Sequence, residues 1–318
     1  MANGSYAIKI TNAKYSLTSG SSKVNLPETT SKLTISQYKK GDANNDGDVD
    51  IADAVCIINH VVGLPTPSFV KQAADANSDG DVDIADAVRI VNLVVGKINA
   101  LSRGNSSRSR AATRAGETTD AILIDATSVF IGKEGTLTVS LKNSQKTNAY
   151  SFDMVLPEGV SIVQDDDDEY VYELSDRHNG HMSTLNYIGN NTYSFAILSL
   201  QSKEVSGNDG AICRFKVKAD DTAVSGKHAV TIQNAKYSLT SGETKVTLPE
   251  ATGQLAIKEL GDVNGDGDVT EDDVDAVANH IIGQTPTDFD LDAADVNGDK
   301  TINAADIVKI VNIIKLQK

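Results

Sequence analysis

Two hydrophobic periodicities divide the chain. Between residues 119 and 258 apolar positions recur every second residue. Leu137, Val139 and Leu141 alternate with Thr136, Thr138, Ser140 and Lys142, and Cys213, Phe215 and Val217 alternate with Arg214, Lys216 and Lys218. Tyr150–Leu156 and Thr192–Leu200 are further short apolar runs between polar turns, and such a series predicts an antiparallel β-sandwich. On either side the period lengthens to that of a helix. Ile51–Val62 sets Val55, Ile58 and Val61/Val62 on one stripe; Val88, Val91 and Val94/Val95 repeat it, and so do Val308, Val311 and Ile314. A fourth helix follows residue 270, and Gly63, Gly96 and Gly283 stand where three of the four should stop. The helices are apolar on more than one face, which implies a core side and a partner side.

A repeat organises these elements. Asn12–Gly20 and Asn234–Gly242 both read NAKYSLTSG, and the match continues through Val24 and Leu26–Glu28 against Val246 and Leu248–Glu250. A β module followed by a helical module therefore occurs twice, the first time with only the closing strands of its β part. The expected units are residues 1–39, the end of a β module; 40–99, helical; 100–118, a linker; 119–259, the complete sandwich; and 260–318, helical. Residues 102–117 (SRGNSSRSRAATRAGE) lack apolar periodicity, as a flexible linker does. A couple of strands cannot bury a core alone, so residues 1–38 read as a fragment of a longer chain.

The net charge of −15 argues against nucleic acid and anionic membranes as partners. The acidity is local. Residues 42–53, 75–86, 262–273 and 295–306 hold nineteen carboxylates and one lysine, more than the whole chain's excess. Each window places oxygen-bearing side chains at alternate positions and an aspartate at the twelfth. The first two carry Asp42, Asn44, Asp46, Asp48, Asp50 and Asp53, and Asp75, Asn77, Asp79, Asp81, Asp83 and Asp86. The others carry Asp262, Asn264, Asp266, Asp268, Thr270 and Asp273, and Asp295, Asn297, Asp299, Thr301, Asn303 and Asp306. This is the pattern of an EF-hand loop. Calcium takes six to eight oxygens at about 2.3–2.6 Å, and a tight loop turns alternate side chains inward while the seventh residue offers its carbonyl. Four Ca2+ sites are expected, in two pairs. The loop at 295–306 should be the weakest, because Lys300 replaces the glycine at position six and brings an ammonium beside the cation.

Each loop leads into one helix, without the helix that precedes the loop in a full EF-hand. The pattern GD-x-N-x-DG-x-V-x-x-x-D, followed by an apolar helix and duplicated after a short connection, resembles a type I dockerin over residues 41–96 and 261–316. The resemblance implies small calcium-dependent modules that bind cohesin modules, in an extracellular or cell-surface polysaccharide-degrading system. It also implies that loop positions ten and eleven set partner choice. These are Ile51, Ala52, Ile84 and Ala85 in the first module, and Glu271, Asp272, Ala304 and Ala305 in the second. The near-duplicate halves of the first module would allow two related binding poses. In the β region, residues 132–143, 150–163 and 210–220 resemble a cohesin-like module in their order, with carbohydrate-binding modules of similar jelly-roll shape as the rival.

No nucleophile elbow, HExxH, phosphate loop or acid–base carboxylate pair stands outside the loops, so a non-enzyme is expected. The leading reading is a scaffold or adaptor. The alternatives are an accessory carbohydrate-binding protein and a fragment of a larger glycoside hydrolase. Polysaccharide as a partner is weakened by the absence of Trp, which leaves Tyr150, Tyr170, Tyr172, Tyr187 and Tyr193. Cys56 and Cys213 read as buried apolar residues, His178 and His181 as surface histidines, and Asp165–Glu169 as a solvated loop. No apolar run is long enough to span a bilayer and no signal peptide is visible.

Overall fold

The computed structural model describes residues 4–16, 23–35, 38–101, 120–125 and 128–316, so the segment read as a linker lies outside the described residues. The chain opens with β1 (Gly4–Ile10), β2 (Lys14–Ser16), β3 (Lys23–Asn25) and β4 (Thr29–Ile35). Helices α1 (Ile51–Val61), α2 (Lys71–Ala74) and α3 (Ile84–Val94) follow. The central strands are β5 (Ala121–Asp125), β6 (Ser128–Phe130), β7 (Glu134–Lys142), β8 (Thr147–Val155), β9 (Val160–Ile162), β10 (Tyr172–Leu174), β11 (Met182–Gly189), β12 (Thr192–Leu198), β13 (Ala211–Ala219), β14 (Gly226–Leu239), β15 (Lys245–Thr247) and β16 (Ala251–Lys258). Helices α4 (Glu271–Ile281), α5 (Leu291–Ala294) and α6 (Ala304–Leu316) come last.

The central strands form two sheets, as the alternating pattern predicts. One runs β10-β13-β7-β5 with β9 also beside β13; the other runs β11-β12-β8-β14-β16-β6 with β15 beside β14. Every pairing is antiparallel except β6 with β16, a parallel edge that a wholly antiparallel reading misses. Phe152, Phe195 and Phe215 meet between the sheets with Tyr150 and Tyr172 around them. Each such buried ring contributes about 1.5–3 kcal/mol through the apolar surface it removes from water.

One end of the sandwich is tied by Arg177. Its guanidinium donates to the carbonyls of Leu141, Ser206, Gly207 and Gly210 and to Asn143 Oδ1, at 2.7–3.1 Å. Five charge-assisted bonds from one side chain close the loop between β12 and β13 onto β7. Arg177→Met should cost about 2–4 kcal/mol, because the chain then retains carbonyls aimed at an apolar side chain. A denaturation midpoint for the sandwich that does not move would contradict this.

The opening strands repeat the closing ones in register. Tyr15 faces Val24 as Tyr237 faces Val246, and Gly4 faces Ile35 as Gly226 faces Ile257. The surroundings differ. Tyr237 is fully buried and donates to Asp120 Oδ2 at 2.6 Å, whereas Tyr15 is 49% exposed. Among the described residues β1–β4 pair only with one another, so nothing resembling β8 or β5 covers the tyrosine.

Three side-chain expectations change. Cys213 is buried, and burial pushes its thiol pKa up, but Cys56 is only half-buried on α1. His178 and His181 are half-buried rather than on the surface, their rings 5.3 Å apart. His178 Nε2 lies 2.9 Å from the Tyr150 hydroxyl. Burial lowers the pKa of His181 to about 4, so it is a neutral ring wedged beside the core. Asp165–Glu169 is exposed.

Candidate calcium loops and the face they position

Each acidic window folds back on itself through its own carboxylates. In the first, Asp46 and Gly47 donate their backbone N–H to Asp42 at 3.0 and 3.1 Å, and Asp46 also donates to Asn44 Oδ1 at 2.9 Å. Asp48 donates to Asp46 Oδ1 at 2.9 Å. The twelfth residue closes the turn: Asp53 accepts from Asn44 at 3.1 Å and from Asp50 at 2.9 Å. Asp86, Asp273 and Asp306 accept from the equivalent pairs, Asn77 and Asp83, Asn264 and Thr270, and Asn297 and Asn303. Asp50, Asp83 and Thr270 thereby sit in capping boxes at the starts of α1, α3 and α4, so one local motif shapes the loop and starts the helix. Position six is left-handed in all four loops, with φ of +99° at Gly47, +97° at Gly80, +99° at Gly267 and +67° at Lys300. Only the last carries a side chain that this conformation disfavours.

The residues fit a hard divalent cation on two observations. Asp53, Asp86, Asp273 and Asp306 are fully buried carboxyls. Burial raises Asp86 to about 7, with the charges of Asp83 and Asp79 pushing the same way, and Asp53 and Asp262 are raised for the same first reason. Secondly, Asp75 Oδ1 is buried with no hydrogen-bond partner. An uncompensated carboxylate oxygen inside a turn is one that a cation would satisfy. Among the described residues no three carboxylate, imidazole or thiol groups already converge as a closed cage.

Within each helical module the loops are paired by packing of α1 on α3 and α4 on α6. His60 stacks on Phe69 at 4.0 Å and His280 on Phe289 at 4.5 Å, the same clasp in both. The sequence pattern of the dockerin type I domain matches residues 40–94 and 260–315, about a third of the chain. The two helical modules are type I dockerins. Type I dockerins are calcium-binding, non-catalytic protein-interaction modules.

Solved structures similar to the chain are cohesins. A non-cellulosomal cohesin from the hyperthermophilic archaeon Archaeoglobus fulgidus is 17% identical, over 44% of this chain and 92% of that one, with a TM-score of 0.37. The sixth cohesin of scaffoldin B from Acetivibrio cellulolyticus, in complex with a mutant Cel5 dockerin, is 13% identical over 44% and 100%, with a TM-score of 0.38. The seventh ScaB type I cohesin from Pseudobacteroides cellulosolvens is 14% identical over 44% and 92%, with a TM-score of 0.36. No curated protein matches the chain. Among the described residues no helix is long and apolar enough to cross a membrane.

The first dockerin is packed onto the sandwich. Strand β12 is buried along its whole length on both faces, and β8 nearly so, which a sheet with one solvated face would not show. The inward side chains fill the core, while Ala149, Ala196 and Leu198 on the other face belong to the same apolar cluster as Ile57, Ile58, Ile84, Val88 and Val91 of α1 and α3. Ala149 and Ser151 of β8 stand opposite Leu198 and Ala196 of β12, so the patch is built mostly from small residues and a helix can lie close on it.

Polar contacts ring this patch. Asn92 Nδ2 donates to the Thr240 carbonyl at 2.9 Å, and its Oδ1 accepts from Ser202 Oγ at 2.7 Å. Lys97 Nζ donates to the Ser202 carbonyl at 3.0 Å, and Asn186 Nδ2 to the Val62 carbonyl at 2.8 Å. Arg89 pairs with Glu243 at 3.0 Å. Lys245 bonds Asp81 at 3.1 Å and also bonds Asp83, and Lys236 lies 3.7 Å from Asp83. Gly242, at φ +68°, sits so close to α3 that a Cβ there would lie 2.7 Å from the Arg89 nitrogen.

The second dockerin acts as an internal control. Val88, Arg89 and Asn92 are buried, but their counterparts Val308, Lys309 and Asn312 are exposed, Val308 at 58% against 0% for Val88. Of the residues expected to meet a partner, Ile84 and Ala85 lie in the covered face. Ile51 is half-buried, and Ala52, Glu271, Asp272, Ala304 and Ala305 are exposed. Arg89, Asn92, Lys97, Asn186, Ser202, Lys236, Thr240, Gly242, Glu243 and Lys245 were not foreseen as contact residues. The signal for four of them was present, since Lys236, Thr240 and Gly242 lie inside the repeated NAKYSLTSG and Lys245 just beyond it.

Proposed function

We propose that the chain is a calcium-dependent scaffold or adaptor in which dockerins pair with cohesin-like sandwiches, working outside the cell in a polysaccharide-degrading system. The observation that carries this is α3 of the first dockerin lying across the outer face of β8, β12 and β14. A helix from a dockerin, seated on a patch of small residues and ringed by hydrogen bonds, is a protein–protein interface made within one chain. On this reading the working units are residues 40–99, 119–259 and 260–318. The opening strands, in register with β14–β16, stand for the end of a preceding sandwich.

Calcium would be held by Asp42, Asn44, Asp46, Asp50 and Asp53; by Asp75, Asn77, Asp79, Asp83 and Asp86; by Asp262, Asn264, Asp266, Thr270 and Asp273; and by Asp295, Asn297, Asp299, Asn303 and Asp306. The carbonyls of Asp48, Asp81, Asp268 and Thr301 would complete the spheres. Its role is to neutralise buried carboxylates so that the loops can present their helices. Extracellular calcium, at millimolar level, suits open loops of this kind. Calorimetric titration of the chelator-treated chain should show four sites, the last the weakest, with helix content rising alongside. Stable helices that take up no calcium would overturn the proposal.

A second reading rests on one feature. Tyr170, Tyr187 and Tyr193 line an open depression with Gln164, Asn191 and Asp220. Rings beside polar side chains are what a sugar-binding surface uses. Retention on insoluble polysaccharide that survives chelation and is lost in Tyr187→Ala would favour an accessory carbohydrate-binding role.

A further inference from the structure

The two dockerins differ where the sandwich touches the first of them. Lys245 and Lys236 stand on neighbouring strands, facing the same way, with Ser238 opposite Lys245 and Lys236 two residues before it. They meet the second loop of the first dockerin: Lys245 reaches Asp79, Asp81 and Asp83, and Lys236 reaches Asp83. In the second dockerin these loop positions are Asp299, Thr301 and Asn303, so two of the three carboxylates become neutral. The opposite face of the second dockerin fits worse. Turning it over would bring Asp272 to the place of Ala85 against Gly242, and Asp275 to the place of Val88 in the apolar patch. Carboxylates there would be desolvated without a partner. The first dockerin's other face offers nearly the full set, with Asp48 and Asp50 before Ala52, Val55 and Asn59, and only Cys56 replacing Arg89.

Taking the cohesin–dockerin reading as given, we infer that Lys236 and Lys245 select which dockerin this sandwich accepts, admitting the chain's own first module and leaving the C-terminal one unpaired. The lysine pair recurs in the opening strands as Lys14 and Lys23, opposite Asn25 and Ser16 in the same register. The opening strands thus carry the same lysine pair. Charge contacts at the rim of an interface discriminate against wrong partners more than they add affinity, and here the apolar patch supplies the latter. On this inference the central sandwich is occupied by the dockerin of residues 40–99, and the dockerin of residues 260–318 stays free for another partner.

The test uses the full chain with a specific protease site in place of residues 105–112, cut in the presence of calcium and run on a sizing column. The N-terminal piece should coelute with the remainder. Asp81→Thr with Asp83→Asn gives the first dockerin the second one's loop chemistry and keeps an oxygen at the ninth position. It should weaken coelution at least tenfold in concentration dependence, as should Lys236→Glu with Lys245→Glu. Adding Asp81→Lys to the lysine variant should recover part of the loss. Calcium uptake and helix signal should stay as in the parent in the Lys236→Glu with Lys245→Glu variant, whose substitutions lie outside the loops. Undiminished coelution in both variants would overturn the selection by lysine. Separation of the pieces in the unmutated chain would instead overturn the cohesin–dockerin reading itself.

Discussion

Replacing Asp86 by Ala should unfold α3 and detach the first dockerin from the sandwich. Asp86 is fully buried and closes its loop with both oxygens, accepting from Asn77 at 3.0 Å and Asp83 at 2.9 Å. Removing it strands two buried N–H groups, at about 1–3 kcal/mol each, and dismantles a capping box worth about 1 kcal/mol. On the proposed function it also removes a calcium-holding carboxylate, which should lower affinity at that loop on the order of 100-fold. A module this small has little stability beyond these terms. Circular dichroism at saturating calcium should show lost helix, and hydrogen exchange should show the outer faces of β8 and β12 newly exposed. Asp306→Ala is the comparator. It should melt α6 in the same way yet leave β8 and β12 protected, because α6 covers no sandwich strand. Equal protection in the Asp86 variant would mean that α3 holds its place without the loop.

Gly242→Leu should break the docking while sparing both partners. Gly242 has a φ of +68°, and a Cβ would meet the Arg89 nitrogen at 2.7 Å, its Cα at 2.9 Å and the Ala85 carbonyl at 3.0 Å. These are backbone atoms of a helix and cannot swing aside, so α3 must lift from the sheet. The substitution also costs about 1–2 kcal/mol of left-handed backbone strain in the sandwich itself. Gly180, with φ +69° and open space around it, separates the two effects. Gly180→Leu should reproduce the strain and leave the dockerin in place. Small-angle scattering should report a larger radius of gyration for the Gly242 variant alone. Matching radii for the two would show that the contact with α3 adapts.

Both predictions depend on features of different legibility. The loops were readable because their chemistry is local: twelve residues contain the oxygens, the turn and the helix cap, and the alternation is printed in the sequence. The sandwich was readable for the same reason, since period-two patterning is set by each strand alone. Local patterning did not separate core from half-buried for Cys56, His178 and His181, because what covers a side chain is decided by segments far along the chain.

The sequence by itself determined that four acidic loops each begin a helix, that these come in two pairs, and that an alternating all-β region lies between them. Only the tertiary structure decided that the first helical pair, chiefly α3 with α1 beside it on β12, and not α6, covers the sheet. It also decided that β8 and β12 are buried on both faces, and that Lys236 and Lys245 meet Asp81 and Asp83. The physical reason is range. A turn, a cap or a strand is stabilised by neighbours within a few residues. A docking face is made of small side chains and charges brought together from across more than 150 residues, and each is unremarked in its own segment until the fold sets it opposite its partner.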